Sequence, residues 1–158
     1  MPTLEGRALG FGLTLTAAQI LDPAAPELPP DDARGRLFVA VDPALAARLA
    51  RGDVIVAEEI ADPDGAAPRA LAALAQAGVV ALVARRFAAT VRESAAAVGV
   101  VPVVVDTPCM LRTGDRLRLD LDAGKVVDLS SGDRVAIRNA STSTERATLR
   151  AILARSVR

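Results

Sequence analysis

Histidine is absent from all 158 residues. Without an imidazole there can be no Ser-His-Asp triad, no phosphohistidine carrier and no zinc site of the usual histidine type. Cysteine occurs once, at Cys109, so an internal disulfide is excluded and the chain alone cannot hold an iron–sulfur cluster, which needs several thiolates. Any cluster must belong to another chain. Trp and Tyr are missing and aromatics make up only 2%, so packing has to rest on Val, Leu and Ile, with small residues allowing helices and sheet to approach closely. Lysine also occurs once, at Lys125, and the formal net charge is +0, so no basic face offers itself to nucleic acid. The longest uncharged apolar run, Ala95 to Val105, is too short to span a bilayer and is interrupted by Gly99 and Pro102. The start MPTLEGRALG lacks the basic-then-apolar pattern of a secretory leader. The expectation is a cytoplasmic protein.

What is present fits one domain over residues 1–158, since 51% hydrophobic content at this length is enough for a substantial core. Leu4 to Gly12 reads as a first strand ending at glycines. Leu13 to Leu21 is open between helix and strand, with Thr16 as an N-cap if helical. Pro23 to Arg34 holds four prolines, each lacking a backbone donor, and reads as a loop. Arg36 to Val41 has strand composition, and Asp42-Pro43 then opens the short helix ALAARLA, closed by Gly52. The central stretch, Gly52 to Pro102, reads as strand (Val54 to Ala57), loop, helix ending at Gly78, strand (Val79 to Ala84), helix ending at Gly99, and strand (Val100 to Val105). Pro102 puts that last strand at a sheet edge or a bulge. Asp64 or Gly65 is the expected cap of the first of these helices, and Pro68 lies in its first turn. Arg116 to Leu121 and Lys125 to Leu129 form a hairpin, Arg134 to Arg138 a third short strand, and Thr142 with Glu145 a capping box for a helix running towards Ser156.

The order is a strand-rich start, a parallel βαβαβ middle, an antiparallel hairpin and a terminal helix. A dinucleotide fingerprint fails, because Gly10 and Gly12 lack a third glycine, and no GxxxxGK[ST] occurs. The loop Glu58 to Arg69 is where chemistry is expected, since α/β sheets place ligands at the carboxyl ends of their strands.

The stretch GDVIVAEEIADPDGAAPRALAALAQAGVVALVARRFAATVRESAAAVGVVPV resembles the small subunit of 3-isopropylmalate dehydratase, the swivel domain of the aconitase superfamily. The likeness extends to Phe11-Gly12, Gln19-Ile20-Leu21, Asp42-Pro43, Gly52-Asp53, Val56-Ala57, Ala77-Gly78, Phe87-Ala88, Ala95, Gly99, Pro102 and Thr113-Gly114-Asp115, which is most of the chain apart from the Pro-rich loop. The resemblance implies an α/β, three-layer β/β/α swivel domain with a parallel βαβαβ core and a C-terminal antiparallel hairpin plus helix. It also implies a large partner subunit carrying a 4Fe-4S cluster, with no cofactor on this chain, and a hydroxy-dicarboxylate dehydrated and rehydrated at the subunit interface. In such a site the cluster iron polarises the leaving hydroxyl, while the swivel's loop, at a helix N-terminus, supplies donors to a substrate carboxylate.

Two motifs of the family are altered here. Its Gly-Ser-Ser-Arg-Glu-His loop is matched without gaps by a stretch in which Gly65, Ala66, Ala67, Pro68 and Arg69 stand over Ser, Ser, Arg, Glu and His. Its early Asp-x-Ile-Asp-Thr-Asp is matched by Leu13, Leu15, Thr16, Ala17 and Ala18, so its acids are missing. The substrate-binding candidates are accordingly Asp64, Gly65, Ala66 and Arg69, with the Arg69 guanidinium the one group suited to bidentate carboxylate binding. Asp62 and Asp64 read as capping and turn residues, Arg85 and Arg86 as a solvated strand end, Cys109 as structural, and Thr142 and Ser143 as a helix start. Two functional readings follow. One is the small subunit of a two-subunit hydro-lyase or isomerase of the 3-isopropylmalate dehydratase type, not self-sufficient as an enzyme. The other is a catalytically degenerate swivel domain kept for assembly or binding. The hairpin edge and the alanine-rich helices leave room for self-association.

Overall fold

The computed structural model describes residues 3–21, 36–38, 41–42 and 44–155, with the backbone alone at 46. The expected Pro-rich loop therefore lies outside the described residues, as do Pro43 and Ser156. Ten strands and five α-helices are found among the described residues. In chain order they are β1 (Thr3–Gly10), β2 (Thr14–Thr16), α1 (Ala17–Ile20), α2 (Leu45–Arg48), β3 (Val54–Val56), β4 (Glu59–Ala61), α3 (Ala67–Gln76), β5 (Ala81–Ala84), β6 (Arg86–Phe87), α4 (Ala89–Val98), β7 (Val101–Val104), β8 (Arg116–Asp120), β9 (Lys125–Asp128), β10 (Arg134–Ala136) and α5 (Ser143–Ala154).

Seven strands form one sheet in the order β10-β9-β8-β1-β3-β5-β7. The β1, β3, β5 and β7 segments are parallel, and β8, β9 and β10 continue the sheet antiparallel from β1. Because side chains alternate across a strand, each parallel strand sends residues to both faces. Ala8, Val54, Val56, Ala81 and Val83 join one buried cluster, while Leu9, Ile55, Leu82 and Ala84 join the other. That two-sided burial is what a continuous apolar run such as VIV requires.

The two clusters define three layers. The sheet curls until its far ends meet, with Val105 just past β7 bridging Ile137 just past β10. Asn139 seals this seam: its Oδ1 accepts the Val104 N–H at 2.9 Å and its Nδ2 donates to the Pro102 carbonyl at 2.9 Å. Pro102, which has no N–H to give, thus sits on the edge strand as expected. The curled halves enclose Leu117, Leu119, Leu121, Val126, Val135 and Ile137 together with Leu149 and Ile152 of α5. On the outer side α3 and α4 cover the parallel strands through Leu71, Leu74, Val91 and Ala95. This is the three-layer β/β/α arrangement.

Local signals explain most element ends. Thr142 Oγ1 accepts the Glu145 N–H at 3.1 Å and Glu145 Oε1 accepts the Thr142 N–H at 3.1 Å, completing the expected capping box. Thr16 caps α1 in the same way with Gln19, so the ambiguous Leu13 to Leu21 stretch is a short strand followed by a short helix. Asp53, just before β3, is 2% exposed and ties β1 to the turn after α2: its Oδ2 accepts from Ala50 N at 2.8 Å and from Arg7 Nη2 at 2.8 Å.

Three expectations are corrected. Arg36 to Phe38 is a turn, and so is Val41. Phe38 has a φ of 60°, outside any strand, and is held there by stacking on Phe11 at 4.6 Å and by donating its N–H to the Ile20 carbonyl at 2.8 Å. Leu37 and Phe38 are fully buried and plug the core. Second, the Glu58 to Ala67 loop contains the strand β4. Third, the cap of α3 is neither Asp64 nor Gly65, because a carboxylate further back in the loop reaches its first amides.

Candidate functional site

Beyond the carboxyl end of each central strand the chain breaks for one to three residues and then pairs again. The strands β1, β3 and β5 continue as β2, β4 and β6, which form a second, fully parallel sheet in the matching order. Staggered bonds carry the ladder through the break: Phe11 N to Val56 O at 2.9 Å, Ala57 N to Val83 O at 3.0 Å, Glu58 N to Gly12 O at 3.1 Å and Arg85 N to Glu58 O at 2.9 Å. Gly12 has a φ of 75°, which a side chain would strain. Loops that leave this end form the face on which α/β sheets carry ligands.

The nominated loop lies beyond β4. Asp64 and Gly65 are exposed, Ala66 is buried, and Arg69 is half-buried on the first turn of α3. The N-cap position of α3 falls on Ala66, which makes no side-chain cap bond. The capping is done by Asp62, whose carboxylate accepts Ala66 N at 2.7 Å, Ala67 N at 3.3 Å and the Thr90 hydroxyl at 2.8 Å. Asp62 thus places the chain's own carboxylate on the amides and positive dipole end that would otherwise receive an anion. Asp64, Gly65, Ala66 and Arg69 are together at one helix start, as the spacing implies.

A second group at this end carries no motif in the sequence. A cleft of about 400 Å³ opens between the carboxyl ends of β1 and β3 and the turn 108–113, lined by Gly10, Gly12, Leu13, Val56, Ala57, Glu58, Pro108, Cys109, Leu111, Arg112 and Thr113. Cys109 is exposed on the 3-10 turn Pro108–Met110, so it lines a cleft rather than packing a core. Arg85 is not merely a solvated strand end: its guanidinium pairs with Glu58 at 3.1 Å. Arg86 remains exposed. Leu13, 79% exposed, and Met110 put apolar surface beside the cleft.

A neighbouring cavity of about 440 Å³ is lined by Cys109, Met110, Arg112, Asp115, Asp128, Ser130, Ser131 and Asp133. Asp128 is 0% exposed. Its Oδ1 accepts the amides of Ser130 at 2.8 Å and Ser131 at 3.2 Å, while its buried Oδ2 meets no other backbone or side-chain donor. The Asp115 carboxyl lines the same cavity, and its side-chain interaction with Asp128, with burial and the nearby Asp128 charge, raises the Asp115 pKa above its ordinary value. Burial pushes Asp128 upward, but hydrogen bonds from Asp115, Ser130 and Ser131 outweigh it and leave its pKa lowered. No group of three His, Cys, Asp or Glu side chains among the described residues is placed to hold a metal ion, and the single cysteine does not fit an iron–sulfur cluster. No helix among the described residues is long and apolar enough to cross a membrane.

No family model matches the chain. It is 29% identical over 125 residues to the methanogen homoaconitase small subunit of Methanocaldococcus jannaschii, spanning 78% of this chain and 73% of that protein. Its fold superimposes on the crystal structure of 3-isopropylmalate dehydratase from Methanocaldococcus jannaschii with a TM-score of 0.79 and 25% identity, covering 91% of this chain and 86% of the other. In fold and sequence the chain is therefore similar to the small-subunit swivel domains of the aconitase superfamily. It is a divergent homologue of the small subunits of homoaconitase and 3-isopropylmalate dehydratase.

Proposed function

We propose that this chain is the cytoplasmic small subunit, a single swivel domain, of a two-subunit hydro-lyase or isomerase of the 3-isopropylmalate dehydratase type. The observation that carries this reading is the match over 91% of the chain to a 3-isopropylmalate dehydratase structure. The partner is a large subunit bearing a 4Fe-4S cluster, whose iron would supply the Lewis acid for loss and return of the hydroxyl. The swivel chain contributes the loop at the start of α3 to an interface site for a hydroxy-dicarboxylate. There Asp64 and Gly65 shape the loop, Ala66 leaves room for substrate, and Arg69 offers a carboxylate-binding guanidinium. Co-expression with a cluster-bearing large subunit should give a complex that hydrates an unsaturated dicarboxylate, with an Arg69→Ala complex raising KM. A stable complex that stays inactive whether or not Arg69 is present would overturn the enzymatic reading.

The Asp62 contact supports a second reading, a catalytically degenerate swivel domain with an assembly role. A carboxylate already seated on Ala66 N and Ala67 N competes with any substrate carboxylate for the same donors.

A further inference from the structure

The cleft between the carboxyl ends of β1 and β3 and the turn 108–113 differs from the α3 start in one respect: its guanidinium is not bonded to a carboxylate among the described residues. Glu58 is the acid lining the cleft, and Arg85 neutralises it at 3.1 Å. The Arg112 side chain makes no hydrogen bond and no ion pair with any described residue. The acid that feels its charge is Asp115, whose carboxyl is itself engaged by Asp128. Beside it, the Thr113 hydroxyl accepts the Gly10 N–H at 2.7 Å, which leaves its own proton to donate outward. Around these two polar groups the walls are largely apolar, through Leu13, Val56, Pro108 and Leu111. A pocket with one guanidinium, one hydroxyl donor and aliphatic walls suits a small carboxylate with a short hydrocarbon body.

We propose that this cleft is a carboxylate-binding site in which Arg112 holds the anion, separate from the α3 start, whose first amides Asp62 occupies. The identity of the acid as the substrate of a hydro-lyase rests on the proposed function; the site itself rests on this chain alone. The guanidinium fork engages both carboxylate oxygens, Thr113 O–H adds a bond to one of them, and the hydrocarbon part lies against Leu13 and Leu111.

Two measurements test this separately from the hydro-lyase reading. In the first, the purified chain is titrated with citraconate, a small unsaturated dicarboxylate, and amide shifts are followed by heteronuclear NMR. Shifts should cluster at Gly12, Cys109 and Thr113, and Arg112→Ala should weaken binding by about tenfold or more, the loss expected for a charge-assisted hydrogen-bond pair. Arg112→Lys should fall between, because an ammonium cannot bind both oxygens in a fork. Arg134→Ala, the same charge change on β10 away from the cleft, should bind as the parent does. Absence of binding, equal binding of sulfate, or an Arg112→Ala chain that binds normally overturns the site. Since the Arg112 side chain is exposed and makes no hydrogen bond or ion pair with a described residue, its loss leaves folding intact. In the second, the reconstituted complex is assayed for hydration. Binding through Arg112 without turnover by any large subunit leaves the site standing and removes the hydro-lyase reading. Turnover indifferent to Arg112→Ala does the reverse.

Discussion

The pairing of Asp115 with Asp128 makes the stability of this chain sensitive to acid and base in opposite senses. The Asp115 pKa is raised in the folded state, so its contribution is complete below the ordinary value of 3.8 and is lost as pH rises through the raised value. The Asp128 pKa is lowered, so its contribution is present above 3.8 and is lost as pH falls through the lowered value. The pair stabilises most between the lowered Asp128 value and the raised Asp115 value, a window that contains 3.8. Asp115→Asn supplies a permanent N–H donor to the buried Asp128 Oδ2, and its melting temperature should exceed that of the parent at neutral pH, with a flatter profile on the alkaline side. A variant that melts lower than the parent at neutral pH would show that Asp115 ionises there without cost. Asp62 gives a second prediction at this scale. Asp62→Ala removes the acceptor from Ala66 N and Ala67 N and should destabilise the chain by about 1 kcal/mol, the usual cost of losing a helix cap. The same variant should gain anion affinity at the freed amides, seen as sulfate-dependent shifts of Ala66 and Ala67 that the parent lacks.

Elements whose ends are set by neighbours in sequence are legible in the residues themselves, and those set by distant packing are not. The Thr142 and Glu145 capping box, the end of α4 at Gly99 and the edge position of Pro102 each follow from one residue's local chemistry. The strands β4 and β6 leave no trace in the sequence because three and two residues carry no measurable period; they exist only because β1, β3 and β5 re-pair beyond a shared break. Arg36 to Val41 has the composition of a strand for a related reason, since Phe38 answers to the Phe11 ring and the Ile20 carbonyl rather than to a sheet. The α3 cap is hidden because Asp62 reaches its amides from outside the helix start, four and five residues away. The Asn139 seam shows how an element boundary can depend on one side chain. Asn139→Ala would leave the Pro102 carbonyl and the Val104 N–H without their partner, and should cost about 1–3 kcal/mol in denaturant unfolding. A loss well under 1 kcal/mol would mean that water replaces the amide at the seam.

At the scale of the whole molecule the fold and family class are readable in the sequence, while the distribution of charge at the functional end is not. Arg69 stands out because a family motif ends there. Arg112 does not, because it reaches the cleft only once the sheet has brought the turn 108–113 against the ends of β1 and β3. Gly6 shows how tightly that curvature is held: a Cβ built there collides with the Gly52 carbonyl oxygen. Framework residues such as Gly52-Asp53 therefore persist for packing reasons while the family's loop chemistry is replaced. Whether this framework still serves a two-subunit hydro-lyase is tested most directly by mixing the chain with a cluster-bearing large subunit and following hydration of an unsaturated dicarboxylate by its loss of absorbance. The expected result is turnover that requires both chains and falls when Arg69 or Arg112 is replaced by alanine; a stable complex in which no turnover occurs would contradict it.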